Sequence, residues 1–239
     1  MIVRDEGNAL LLITQPDHAR LAETIVASMR TEPGLAGGAG PVVLLATREH
    51  DNGWAEVDAE PTIDPASGRP RDFMTGPAAV KHELWLRGIT RVATMNPRAG
   101  ALVAEHALTV YGYRGQDAGW QPFFASIAAM RDDLLRQLGI MPGGAREAFE
   151  AQYRCVQLGD AFSLHFCSGW TEPKQVLDYQ VGMREDTLMI SPDPFDGAAV
   201  PLHVPGRRIP ARRYRDDADL RDAMTAAVPH VVVGQARGI

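Results

Sequence analysis

Cysteine is nearly absent from this 239-residue chain, Cys155 and Cys167 being the only two. No cysteine pair has metal-knuckle spacing, which argues against a disulfide framework and against a Cys-ligated zinc site. Long apolar runs are missing as well. The first, from Ala9 to Ile13, is too short for a signal-peptide core or a membrane span, so a short strand is expected there and a soluble, cytoplasmic protein overall. Excess positive charge is also lacking: 30 Asp and Glu against 24 Lys and Arg leave a formal charge of −6. That sign repels polyanions and argues against nucleic acid as a main partner. There is no internal repeat and no phosphate-cradling loop. The stretch Gly34 to Gly40, GLAGGAG, lacks the Gly-Lys-Ser/Thr ending and is expected to be a flexible connector.

What is present is 45% hydrophobic residues, enough for one full core, and seven histidines. Periodicity predicts a helix from Pro16 with His18, Leu21, Ala22, Ile25 and Met29 on one face. A second helix from Pro41 aligns Val43, Ala46 and His50, and a third, from about Pro77 to Thr94, aligns Ala79, His82, Leu86, Ile89 and Ala93. A fourth, after Pro97, groups Leu102, Val103, His106 and Val110. An amphipathic helix from Pro122 to Leu138 follows, and then a long one from about Ala145 to Cys167 with Asp160 amid its apolar stripe. The Pro- and Gly-rich segment from Trp54 to Gly76 reads as a long ordered loop beside the site. Past Trp170 short β-like runs predominate, namely TLMISPDPF, VPLHV, RRIPARRY and HVVVGQA. The expected architecture is therefore mainly α, a helical body over about 15–170. A small antiparallel sheet joins the N-terminal strand to a β-rich appendage over about 178–239, all in one domain.

Histidines on four predicted apolar stripes are the informative pattern. A lone buried histidine is ordinarily a hydrogen-bonded core residue. Four of them with two carboxylates are costly to bury without a cation, and a metal ion removes that cost. Consecutive residues on a helix point about 100° apart, so Asp51 can reach around to bridge two ions while His50 ligates one. A donor set of imidazole and carboxylate without thiolate suits iron, manganese, cobalt or zinc.

The order His18, His50-Asp51, His82, His106, Asp160 resembles that of the HD-domain superfamily of metalloenzymes, which carry a His, a His-Asp pair and a distant Asp on a helical bundle. Two extra histidines between the pair and the last Asp mark its dinuclear members, and the separations look like those of its mixed-valent diiron oxygenases, the phosphonate-cleaving and myo-inositol oxygenases. The strings LLITQPDHARLA and REHDNGW also look like those of an uncharacterised bacterial family. The resemblance implies one metal held by His18, His50, Asp51 and Asp160, and a second by His82 and His106 with Asp51 bridging. It implies two divalent or mixed-valent ions, iron ahead of manganese, and a small-molecule substrate. Two chemistries fit: a diiron oxygenase that uses dioxygen on a small polar substrate, and an HD phosphohydrolase in which an activated water attacks phosphorus. A binding or regulatory module that keeps the metal as structure is a third reading. Many HD phosphohydrolases place Gly and Lys after the pair, whereas here Asn52, Gly53, Trp54, Ala55 and Glu56 follow. This missing cation favours the oxygenase.

Lys81 and Arg48 are candidates to join Asp51 in catalysis by holding an anionic substrate, against a plainer role on solvated helix faces. Arg69, Arg71 and Asp72 form either a lid or a loop-stabilising ion pair, and Tyr111 and Tyr113 are expected to pack. His165, five residues after Asp160, falls outside the ligand set, and no nucleophile-elbow string supports a triad with Ser163 or Ser168. The arginine-rich Arg207 to Arg215 reads as the polar side of an edge strand.

Overall fold

The computed structural model describes residues 1–30, 39–140 and 142–239, so positions 34–38 of the expected connector lie outside the described residues. Thr14 opens α1 (Gln15–Ser28): its Oγ1 accepts from the Asp17 backbone N–H and donates to the Asp17 carboxylate, with Pro16 in the first turn. Pro41 starts α2 (Pro41–Glu49), which ends at the His50-Asp51 pair. A 3-10 turn at Asn52–Trp54 and the short α3 (Ala55–Ala59) follow, so the segment expected to be all loop begins with helix. Next come α4 (Ala78–Met95) and α5 (Pro97–Val110), the latter capped by Asn96 Oδ1 accepting from the Arg98 and Ala99 N–H groups. The helical body closes with α6 (Gln121–Gln137) and α7 (Gly144–Ser168), which ends on left-handed Gly169.

The sheet is larger than expected. Strands β1 (Ile2–Asp5) and β2 (Ala9–Ile13) form an N-terminal hairpin, and β3 (Lys174–Val176), β4 (Tyr179–Arg184), β5 (Thr187–Ser191), β6 (Ala199–Pro210) and β7 (Pro229–Gly238) complete seven strands in the order β1-β2-β6-β7-β5-β4-β3. The N-terminal strands do join the C-terminal ones, through Leu10 opposite Ile209 and Leu12 opposite Arg207. All pairings are antiparallel except β5 with β7, which is parallel. VPLHV and RRIP merge into the single strand β6, an interior strand flanked by β2 and β7, so the expected edge strand is corrected. Its arginines turn to partners within the chain: Arg208 to Glu6, and Arg207 to the Met224 and Ala227 carbonyls at the end of α8 (Asp217–Ala226). Helix α8 was not among the expected elements, although Asp216 caps it and Asp217 and Asp219 stand in its first turn.

The sheet is not a detached appendage. Leu11 and Ile13 of β2, Val181 of β4 and Leu202 of β6 share one buried cluster with Ile25, Val103, Phe149 and Phe162 of the helices. The observed architecture is thus a helical body with a mixed seven-stranded sheet. Among the described residues no helix is long and apolar enough to cross a membrane.

Candidate metal centre

Four elements converge. His18 comes from the first turns of α1, His50 and Asp51 from the end of α2, His106 from α5 and Asp160 from α7. His18 Nε2 lies 3.2 Å from His50 Nε2, 3.4 Å from Asp51 Oδ2 and 3.3 Å from Asp160 Oδ1. His50 Nε2 is 3.3 Å from Asp160 Oδ1, and His106 Nε2 is 3.5 Å from Asp160 Oδ2. The donor atoms of His18, His50 and Asp51, and likewise those of His50, His106 and Asp160, all fall within 4.8 Å of one another. Asp160 touches all three imidazoles and ties the two groups into one cluster.

Hydrogen bonds behind the cluster fix the tautomers. Ser163 Oγ donates to the Asp160 carbonyl and therefore accepts from His18 Nδ1 at 2.8 Å. His50 Nδ1 donates to the Thr47 carbonyl at 2.7 Å. With both Nδ1 atoms carrying protons, the neutral rings aim two Nε2 lone pairs at each other across 3.2 Å, flanked by two carboxylates. Lone pairs and anions packed this closely repel unless a cation sits among them, and outer hydrogen bonds of this kind are how metal-ligating histidines are oriented. His106 differs: its Nδ1 is buried without a hydrogen-bond partner among the described residues, so its ring is less firmly directed.

Without a metal the cluster needs a proton instead. Burial pulls the His18 imidazole down, but the Asp160 and Asp51 carboxylates outweigh it and raise the group from 6.5 to about 9. His50 rises for similar reasons, burial being outweighed by Asp51 and Asp160. Burial would raise Asp160, yet its bonds to His18 and His50 hold it well below the usual carboxylate range. Burial dominates at His106 and lowers it to about 4. A group raised on folding stabilises the fold fully below its unfolded value and ceases to do so above its folded one. The chelator-treated protein is therefore expected to lose thermal stability as pH rises from about 6.5 through about 9, with the metal-loaded protein nearly flat over that window. Calorimetry of both forms checks this, and parallel pH profiles would contradict it.

His18, Asp51, His106 and Asp160 of the cluster line a cavity of about 440 Å³, walled by Trp54, Trp85, Tyr111 and Trp170, with Lys81 and Lys174 also on its lining. A larger cavity of about 630 Å³, between α8 and strands β6 and β7, touches none of the donors. Lys81 is 5% exposed, and its Nζ donates to the Met74 carbonyl at 2.8 Å. Among the described residues no carboxylate forms an ion pair with it. Burial, then nearby Arg114, pulls its ammonium below the ordinary range.

Of the residues expected at the site, His18, His50, Asp51, His106 and Asp160 are brought together and Lys81 joins their cavity. His82 does not. Its ring packs on Trp120 and Phe123 with centroids 4.6 and 5.0 Å away, outside the cluster. The buried face of α4 runs through Lys81, Leu84, Trp85, Gly88, Ile89 and Val92, one residue around from the expected stripe. That 100° rotation points Lys81 inward and His82 aside. The second ligand set of the dinuclear expectation therefore keeps only His106 beside Asp51. Arg48 also lies elsewhere, paired with Glu49 at 3.1 Å on a half-exposed helix face. Arg69 pairs with Asp5, and Asp72 accepts from the Val3 N–H, which anchors the long loop at the sheet. Tyr111 and Tyr113 both line the cavity, the first buried and the second exposed. Gln15, Trp170 and Lys174 were missed, and His165, expected outside the ligand set, lines the cavity without joining the cluster. Gln15 could have been found, since it stands one helical turn before His18 on the same face.

A family model described as "Protein of unknown function (DUF3891)" matches residues 1–211, a span that holds all five donors. No curated protein and no solved structure matches the chain.

Proposed function

This chain belongs to the DUF3891 family of proteins of unknown function, and we propose that it is an HD-type metal-dependent hydrolase of phosphate esters that works with one divalent ion. The observation that carries this reading is a single donor cluster sharing its cavity with a buried lysine that no carboxylate pairs among the described residues. The dinuclear oxygenase expectation required His82, which packs elsewhere. The cation absent after the His-Asp pair comes instead from α4, as Lys81.

His18, His50, Asp51 and Asp160 would hold the ion, with His106 completing the set, and the absence of thiolate favours iron or manganese. When bound, such an ion supplies Lewis acidity, lowering the pKa of a coordinated water and drawing charge from a phosphoryl oxygen. The chain supplies the rest. Thr47 and Ser163 keep the His50 and His18 rings aimed. Lys81 exchanges the Met74 carbonyl for a phosphoryl oxygen, a stronger, charge-assisted bond. The tryptophan walls keep bulk water from the ester.

The test is metal analysis of protein reloaded separately with manganese and iron, followed by release of inorganic phosphate from phenyl phosphate. One ion per chain and metal-dependent phosphate release are expected. Lys81→Met should raise KM by about 10- to 100-fold, the worth of a charged hydrogen bond, with the metal content unchanged. Two ions per chain, one of them lost in His82→Phe, together with dioxygen uptake and no phosphate release, would restore the oxygenase.

A further inference from the structure

Two buried side chains on the cavity wall each keep one polar atom without a hydrogen-bond partner among the described residues, and neither takes part in holding the ion. Gln15 is 2% exposed and His165 1%. Among the described residues Gln15 Oε1 and His165 Nε2 make no hydrogen bond, and both residues line the same cavity as the donor cluster. Native interiors leave few polar atoms bare, and two in one cavity call for an explanation.

Their placement follows from how α1 and α7 pack. A Cβ at Gly159 would abut the Ala22 carbonyl, and four residues on, Ser163 bonds His18, four residues back. The helices are therefore antiparallel, and the next turn of each brings Gln15 and the His165 region to one level beyond the donors. The chemistry of the pair is also set. The His165 ring bonds the Trp170 backbone, and with Nε2 unpartnered that bond is a donation from Nδ1 to the carbonyl. Nε2 is left with a lone pair. Burial and then Lys174 keep the ring neutral. Gln15 Oε1 is likewise an acceptor, so the wall presents two unused acceptors. A ligand must answer with donors, and neighbouring Lys174 repels an ammonium, so the donors are neutral, and hydroxyl groups are the plainest of these.

We propose that Gln15 Oε1 and His165 Nε2 form a hydrogen-bond-accepting subsite for two hydroxyl groups on the organic part of the substrate, making it a polyhydroxylated ester. The subsite rests on the proposed hydrolase only for the phosphate at the other end of the ligand.

Two matched pairs of probes test it on metal-loaded protein, followed by the fluorescence of the cavity tryptophans. The first pair is glycerol 2-phosphate against isopropyl phosphate, and the second is 3-hydroxy-2-(hydroxymethyl)propanoate against isobutyrate. Within each pair the skeleton is shared and only the hydroxyls differ. The hydroxylated member should bind about 10-fold tighter in both, from two neutral hydrogen bonds. A Gln15→Met, His165→Phe double variant should erase that preference while leaving isopropyl phosphate binding and metal content as in the parent. Equal binding within each pair, a preference that survives the double variant, or no saturable binding by any probe would overturn the subsite. The wild-type comparison stands even where the double variant does not fold. A hydroxyl preference in both pairs without phosphate release from either ester would sink the hydrolase and keep the subsite. Phosphate release without preference would do the reverse.

Discussion

Asp160→Asn is expected to leave the protein folded and to empty its metal centre. The Asp160 carboxylate touches His18, His50 and His106 at 3.3, 3.3 and 3.5 Å, so it is the one group that all three imidazoles share. Asparagine fills the same volume and keeps an acceptor, but it removes the charge that offsets the ion. Ion affinity should fall by at least about 100-fold, the upper end of what even outer-shell losses produce. Metal analysis after gel filtration should then read below about a tenth of an ion per chain. Hydrolysis should drop to background, and the stabilisation conferred by excess metal should vanish, which for a wild-type protein at a hundred times Kd is about 2.7 kcal/mol. The same change removes one of the two carboxylates that raise His18, so the metal-free variant should show a shallower decline of stability between pH 6.5 and 9, with Asp51 still in place. Retention of a full ion by the folded variant would refute the assignment of the centre to this cluster. His82→Phe serves as the control, because a ring stacked on Trp120 and Phe123 can change without touching the donors.

Five of the six residues expected as ligands come together because each lies on, or directly at the end of, a helix whose apolar stripe is unambiguous. In α1 the run His18, Leu21, Ala22, Ile25 admits one inward face, and in α7 the large residues around Asp160 do the same. Helix α4 was ambiguous. Leu84, Trp85, Leu86 and Ile89 are compatible with two stripes about 100° apart, and the true one begins with a lysine and passes through Gly88, neither of which registers as core. What selects it is a tertiary contact, which no periodicity encodes. The sheet suffered similarly. β3 and β4 are short and polar on one side, and the parallel pairing of β5 with β7 depends on where α8 returns the chain. The cavity wall was the least legible part, since Trp170 and Lys174 become neighbours of the donor cluster only once α7 turns at Gly169 into β3.

Gly53→Ala should cost about 3 kcal/mol and weaken substrate binding even in the molecules that fold. A Cβ at Gly53 would sit 2.2 Å from the Leu84 carbonyl oxygen, a backbone atom that cannot swing away, and Gly88 on the same face of α4 approaches the Gly53 backbone to within 3.1 Å of a Cβ of its own. Two glycines facing each other thus let the turn after the His-Asp pair lie directly on α4. Asn52 fastens the contact, its Nδ2 donating to the Glu49 and Gly88 carbonyls at 2.7 and 3.3 Å and its Oδ1 accepting from Arg91 at 2.9 Å. Trp54 then turns inward to the cavity. The tail that carries no cation of its own therefore docks the helix that does, with Lys81 one turn before the Leu84 carbonyl that Gly53 meets. An added methyl pushes α4 outward, and overpacking against backbone reaches the top of the usual 1–3 kcal/mol range. In a chain of this length that is a fall of roughly 6–12 °C in the thermal midpoint. Displacement of Lys81 should raise KM for phenyl phosphate with metal content intact, because His50 is held from the α2 side through Thr47. A destabilised variant with unaltered KM would show that α4 accommodates the methyl without moving Lys81, and would break the proposed link between the Asn52-Gly53-Trp54 turn and anion binding.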